Sequence, residues 1–287
     1  MAEITTDDGV QLFYRIEDFR NPWAGEPAST ILMHHGFAKN LEWWTPCVPA
    51  IARHHRIIRY DARGCGKSSI PPKGAAWTLG RLAKDALNLI DALNIKKVHF
   101  VGFESGGVVG LAFAAGHQER TESLSLFNTP SSNWMTTGRM NRFFNLGYAN
   151  MAEAIDALGF EKWVSGTMAI YLDPSVTDSS LFDWVKRQVT STPLSVAKEW
   201  FRVMEKTDIS NLPARVTAPT LIVAGANHIY GCEPVQLDEL RRRIPNAREV
   251  VYVPGVGSSV QIMAPDACAS VLLNFLGSLY SAQPVSR

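Results

Sequence analysis

Seven short apolar runs rich in β-branched residues mark this chain, at residues 10–16, 29–33, 56–60, 97–102, 123–127, 219–224 and 249–253. Helical patterns fill most of the gaps between them. Parallel strands cannot be joined by tight turns and need helical crossovers, so this alternation predicts βαβ connections. Runs that stay apolar without strict alternation imply strands covered on both faces. The fold class is therefore α/β, with a doubly wound, mostly parallel sheet. Leu79, Leu82, Ala83, Ala86, Leu87, Ile90 and Leu93 recur at helical spacing behind Thr78, which predicts a helix over 79–93 with Thr78 as its N-cap. Residues 105–116 are small and apolar, as suits a helix pressed against a sheet. Residues 234–243 and 267–279 read as the last helices.

From about residue 131 to 209 the pattern changes to helices rich in aromatics, among them Trp134, Tyr148, Trp163, Tyr171, Trp184 and Trp200. This predicts a helical cap inserted into a core domain made of residues 1–130 and 210–287. Open α/β sheets place their sites beyond the carboxyl ends of the strands, where such a cap would lie. Most of these aromatics are expected to form the cap's own core.

Charge narrows the partners. Lys plus Arg number 28 and Asp plus Glu 27, so a net charge of +1 offers no electrostatic basis for binding nucleic acid or an anionic membrane. No leader pattern or bilayer-length apolar run is present, which points to the cytoplasm. Cys47, Cys65, Cys232 and Cys268 lack metal-ligand spacing and read as reduced thiols, so neither a metal nor an organic cofactor is expected. The expected partner is a small-molecule substrate.

The stretch Val101-Gly102-Phe103-Glu104-Ser105-Gly106-Gly107 carries most of the chemistry. Its frame is that of a nucleophile elbow, G-x-S-x-G, a sharp turn from strand to helix with the reactive side chain at its tip. Gly102 and Gly106 set the frame, so the tip is Glu104, and a carboxylate stands where a serine is expected.

Other segments share the pattern. His34-His35-Gly36-Phe37 follows one strand, and Asp61-Ala62-Arg63-Gly64-Cys65-Gly66-Lys67-Ser68 follows the next. Pro219-Thr220-Leu221-Ile222-Val223-Ala224-Gly225 and a late Gly257-Ser258 complete it. Together with the elbow they resemble the α/β-hydrolase superfamily, in particular capped lactone and C–C bond hydrolases of the 3-oxoadipate enol-lactonase type. The resemblance implies an α/β-hydrolase fold and spans nearly the whole chain. It maps the family's nucleophile onto Glu104, its acid onto His228 and its histidine onto Ser258. All three positions depart from the family pattern, yet the set still comprises one serine, one histidine and one carboxylate. Histidine is only 7 of 287 residues, so chance placement of one at a catalytic position is uncommon. Catalytic sets are defined by geometry and role, not by chain order.

Two mechanisms fit this set. In the first, Ser258 attacks, His228 is the general base and Glu104 orients the imidazole. In the second, Glu104 attacks or accepts a proton while His228 activates water. Family members that open epoxides or displace halide use an Asp at the elbow, but their halide-binding Trp is Ser105 here and their proline after the His-Gly turn is absent. The serine route is preferred. A drifted, ligand-binding pseudoenzyme is the reading from outside catalysis. The resemblance also implies an oxyanion hole from the backbone N–H groups of Phe37 and Ser105. A carboxylate at 104 would place negative charge beside that hole. Trp44, Trp134 and Tyr148 are candidate substrate contacts. His34, His35, Asp61 and Arg63 read as supports for turns. Asn128 ends the strand after the elbow helix, where some relatives carry an alternative acid, and its amide cannot supply that charge.

Overall fold

The computed structural model describes residues 2–23, 29–131, 143–168, 171–172, 178–227 and 232–281. Eight strands form one sheet: β1 (Ala2–Thr5), β2 (Gln11–Glu17), β3 (Thr30–His34), β4 (Arg56–Tyr60), β5 (Val98–Phe103), β6 (Thr121–Phe127), β7 (Thr220–Gly225) and β8 (Val251–Val253). Their order across the sheet is β1-β2-β4-β3-β5-β6-β7-β8. β1 and β2 pair antiparallel, as do β2 and β4, and every later pairing is parallel. The helices are α1 (Val48–Ile51), α2 (Leu79–Ala92), α3 (Ser105–Gly116), α4 (Met151–Leu158), α5 (Phe160–Gly166), α6 (Ser179–Thr190), α7 (Leu194–Lys206), α8 (Pro234–Arg243), α9 (Val260–Met263) and α10 (Pro265–Ser281).

The seven expected strands are all present, most within two residues of their expected bounds. β1 is the addition. It is a four-residue edge strand, half exposed and too short to show periodicity. Burial explains why the central strands read so clearly, since every residue of β3, β5 and β7 is buried. The α2 helix begins as expected, with the Thr78 hydroxyl accepting from the Arg81 N–H at 3.1 Å. α3 packs its small residues against β5 and β6, and an aromatic layer of Phe100, Phe103, Phe113 and Phe127 is fully buried there. Helices α4 to α7 lie between β6 and β7 in the chain. α6 and α7 pack on the segment after β3 through Trp43–Trp184 and Phe37–Phe201, with ring centroids 5.5 and 4.0 Å apart.

The turns that close the strands behave as structural supports. Asp61 accepts the Leu41 and Lys67 N–H groups at 2.7 and 2.8 Å, and burial raises its carboxyl to about 6. Arg63 pairs with the buried Asp85 and with Asp8. All four cysteines are buried and free. Among the described residues, no helix is long and apolar enough to cross a membrane.

Besides the buried His35, three histidines are withdrawn from water, His34 and His99 fully and His55 in part. His34 and His99 have no exposed side-chain surface to speak of, and His55 lies against Ser29. Burial lowers each to about 4. An imidazole held neutral contributes stability that is complete above its unfolded value near 6.5 and is lost as pH falls toward about 4. The fold should therefore lose stability progressively below about pH 6.5, with the fully buried His34 adding a slope of up to about 1.4 kcal/mol per pH unit. Denaturant midpoints measured from neutral to acid pH test this, and a flat profile across that window would contradict it.

Candidate functional site

The strand-to-helix turn between β5 and α3 has the geometry of an elbow. Glu104 adopts φ 55° and ψ −120°, a left-handed conformation costly for any residue with a side chain. The turn is held by backbone bonds, with the Glu104 N–H donating to the Phe127 carbonyl at 2.9 Å and its carbonyl accepting from Gly107 at 3.0 Å. Gly106 touches the neighbouring turn so closely that a Cβ there would lie 2.2 Å from the His35 carbonyl oxygen.

That neighbouring turn follows β3 and is organised by its histidines. His34 Nδ1 lies 2.7 Å from the His35 carbonyl and His35 Nδ1 lies 2.7 Å from the Gly36 carbonyl. His35 Nε2 accepts the Ala62 N–H at 2.9 Å, which assigns the ring proton to Nδ1. Burial keeps both rings neutral, His35 well below its ordinary value. They are supports, as expected. Among the described residues, neither the Phe37 nor the Ser105 N–H donates to a protein acceptor, so both remain available to a developing oxyanion.

The Glu104 carboxylate is not left alone beside them. Lys39 Nζ lies 2.6 Å from Glu104 Oε2 and 3.2 Å from the Phe37 carbonyl. Its side chain is 0% exposed and that of Glu104 16%. The ammonium also sits over the faces of Tyr171, Trp43 and Phe103, at 4.5, 5.0 and 5.3 Å from the ring centroids. Burial pulls Lys39 below its ordinary value, and the Glu104 charge works against that shift. Burial together with the Glu104 charge pushes the Tyr171 phenol and the Cys232 thiol up, so both stay neutral. Two like charges about 4 Å apart at an effective dielectric of about 20 repel by about 4 kcal/mol, nearly a thousandfold in rate. The ammonium offsets the negative charge that the carboxylate brings beside the Phe37 and Ser105 N–H groups. Sequence reasoning did not single out Lys39. The available signal was a lysine three residues after Gly36, on a turn aimed at an unexpected acid.

The other candidates are placed as follows. Ser258 is half-buried on the loop after β8, and its carbonyl accepts the Val260 N–H at 3.1 Å. That loop crosses the end of β7 in backbone contact, because a Cβ on Gly225 would lie 1.9 Å from the Gly257 carbonyl oxygen. Asn227 donates to the Val256 carbonyl at 3.0 Å. His228 and Trp134 lie outside the described residues. Trp44 is fully buried, donates its indole N–H to the His34 carbonyl at 3.2 Å and packs edge-on against Phe127. Tyr148 is 38% exposed. Asn128, in a left-handed conformation at the end of β6, is buried with no partner for its amide among the described residues, and the Ser105 hydroxyl is likewise unpartnered. Buried polar groups of this kind call for a water or ligand partner.

A family model described as the α/β-hydrolase fold matches residues 29–256. The 3-oxoadipate enol-lactonase 1 of Acinetobacter baylyi is 28% identical over 203 residues, covering 70% of this chain and 72% of that protein. The RutD protein of Caulobacter sp. (strain K31), provisionally named a carbamate hydrolase, is 26% identical over 262 residues, covering 88% of this chain and 93% of its own. Among solved structures, the enol-lactonase from Burkholderia xenovorans LB400 superposes with a TM-score of 0.79 at 24% identity, over 96% of this chain and 100% of that one. At that identity the superposition speaks for the fold alone.

The crowding around Glu104 makes a direct prediction. A Cβ on Gly36 would lie 2.5 Å from Glu104 Oε2. Gly36→Ala should force the carboxylate away from Lys39 and cost about 1–3 kcal/mol. Gly116→Ala, where a Cβ meets nothing within 4 Å, should be near neutral. Urea denaturation of the two variants compares them, and equal midpoints would remove the crowding.

Proposed function

This chain belongs to the α/β-hydrolase fold family, and from that premise we propose that it hydrolyses an ester, lactone or C–C bond of a small, largely apolar carbonyl substrate. Ser258 is the nucleophile, His228 the general base and Glu104 the carboxylate that orients the imidazole. The observation that carries this assignment is the hydrogen bond that ties the residue before 228 to the serine's loop. On one side Asn227 bonds to Val256, which leads directly into the Ser258 loop. On the other, Cys232 lies within the field of the Glu104 carboxylate. The described residues that flank this segment thus border the serine's loop on one side and the glutamate's surroundings on the other.

In the reaction, His228 takes the Ser258 proton as the oxygen attacks the carbonyl carbon. Glu104 stabilises the imidazolium. The Phe37 and Ser105 N–H groups receive the oxyanion, which collapses to an acyl-serine as His228 gives the proton to the departing group; His228 then deprotonates the water that cleaves the acyl-serine and returns that proton to Ser258. The roles are those of the family triad, held by different chain positions. Trp43, Trp184, Phe37 and Phe201 make the surroundings apolar, and the names of the relatives point to lactone or carbamate carbonyls.

A second reading is favoured by the Lys39 contact. Lys39 engages Oε2 and leaves Oε1 without a partner among the described residues, so Glu104 is itself equipped to accept a proton in cofactor-free, non-hydrolytic chemistry.

Acyl trapping separates the two. Wild-type protein quenched during turnover of an activated acetyl ester should carry an acetyl group on the Ser258 peptide. Ser258→Ala, His228→Ala and Glu104→Gln should each lower kcat by about 100-fold or more. Equal rates in all four proteins would end the triad. Full activity in Ser258→Ala with loss in Glu104→Gln would select the second reading.

A further inference from the structure

Lys39 has a role that the hydrolase frame does not require. We propose that Lys39 is a positioning residue that fixes the Glu104 carboxylate over Gly36 and offsets its charge, so that an oxyanion can form at the adjacent Phe37 and Ser105 N–H groups. This rests on the reading that Glu104 takes part in the reaction.

The geometry leaves Lys39 little other purpose. Its Nζ is shared between Glu104 Oε2 at 2.6 Å and the Phe37 carbonyl at 3.2 Å, and its remaining side faces three aromatic rings. With a side chain 0% exposed, it is enclosed and does not reach out to bind a free anion. It acts on two parts of the site at once, gripping the carboxylate and the carbonyl of the residue whose N–H is an oxyanion donor. Among the described residues it is the cation paired with Glu104. The titratable groups around the pair are Tyr171, Cys232, Cys65 and His35; burial raises the first three and lowers His35, so all four remain neutral. The pair as a whole is neutral, and the site can take on one further negative charge without facing an uncompensated carboxylate. A packing role alone does not account for this, because an apolar side chain of similar length fills such a cage at least as well as a buried ion pair.

The test compares wild type, Lys39→Met, Lys39→Arg, Glu104→Gln and the Lys39→Met/Glu104→Gln double variant. Three quantities are read: kcat and KM for 4-nitrophenyl acetate, the Glu104 carboxylate bands by infrared difference spectroscopy against Glu104→Gln, and the melting temperature. Lys39→Met should lower kcat by about 100-fold with KM changed less than about threefold, and Lys39→Arg should recover about tenfold of that loss. In Lys39→Met the Glu104 carboxylate bands should lose intensity and broaden relative to wild type. The double variant, with neither charge left, should melt above Lys39→Met. Unchanged Glu104 bands in Lys39→Met would overturn the proposal, as would a double variant that melts no higher than the single. Should wild type not turn over this ester, the infrared and melting arms decide alone. Full hydrolysis by Glu104→Gln would defeat the catalytic reading of Glu104 while leaving the Lys39 effect on its bands intact, so the two failures are told apart.

Discussion

A side chain at Gly106 would lie 2.2 Å from the His35 carbonyl oxygen, so the turn after β3 and the first turn of α3 meet backbone to backbone. That contact needs the left-handed Glu104 on one side and a turn of fixed shape on the other. The shape is supplied by two neutral imidazoles, each bonded to the following carbonyl, with His35 also receiving the Ala62 N–H. Charging either ring would cost the desolvation that keeps them neutral. The elbow side of the site is placed by this junction: Phe37 and Ser105, whose N–H groups have no protein acceptor among the described residues, Gly36 beneath the carboxylate, and Lys39 three residues after that glycine. The strain at Glu104 is held by the Phe127 and Gly107 bonds at its flanks.

The Lys39–Glu104 pair sits on this frame at an energetic cost. Taking two charges out of water costs several kcal/mol per ion, and their attraction repays it only with good geometry and further bonds. Here the further bonds are the Phe37 carbonyl and three ring faces, each of which adds roughly 0.5–2 kcal/mol for a desolvated cation. Such a pair is weak grounds for stability and stronger grounds for a specific electrostatic task. A site drifting out of use would shed the expensive charge first. This one keeps a carboxylate and a matched cation 2.6 Å apart, next to a turn whose Phe37 N–H has no protein acceptor among the described residues.

How much of this was legible in the chain follows from the range of the interactions involved. β3, β5 and β7 read clearly because both faces are buried and their apolar character is continuous. The α2 N-cap read clearly because Thr78 and Arg81 are three residues apart. The elbow was legible from glycine spacing, since only glycine tolerates the Gly106 contact. β1 escaped because four half-exposed residues carry no period. Lys39 escaped for a different reason. Its partner is 65 positions away, and nothing local marks a turn lysine as buried. Its cage includes Tyr171, from the aromatic segment between β6 and β7, where any one ring reads equally well as core. Trp43 and Trp44 show the same limit, because adjacent tryptophans of equal burial differ in role, one facing the lysine and the other donating to His34.

The identity of the residue at the elbow then acquires a physical reason. A serine there would be activated by a base and would need its neighbouring donors for the substrate oxygen alone. A glutamate is longer, and its carboxylate reaches back over Gly36 to Lys39 instead of standing free at the tip. Its Cβ would itself be only 3.1 Å from a side chain on Gly36, so the curled position depends on that glycine. A carboxylate clamped in this way at one oxygen is poorly placed for in-line attack, because attack would pull it from its cation into a more apolar space. It is well placed to hold a steady charge with the second oxygen open to a donor. The clamp therefore argues for an orienting or proton-accepting carboxylate over a covalent one. It is also compatible with the proposed attack from another loop, since the Phe37 and Ser105 N–H groups keep no protein acceptor among the described residues.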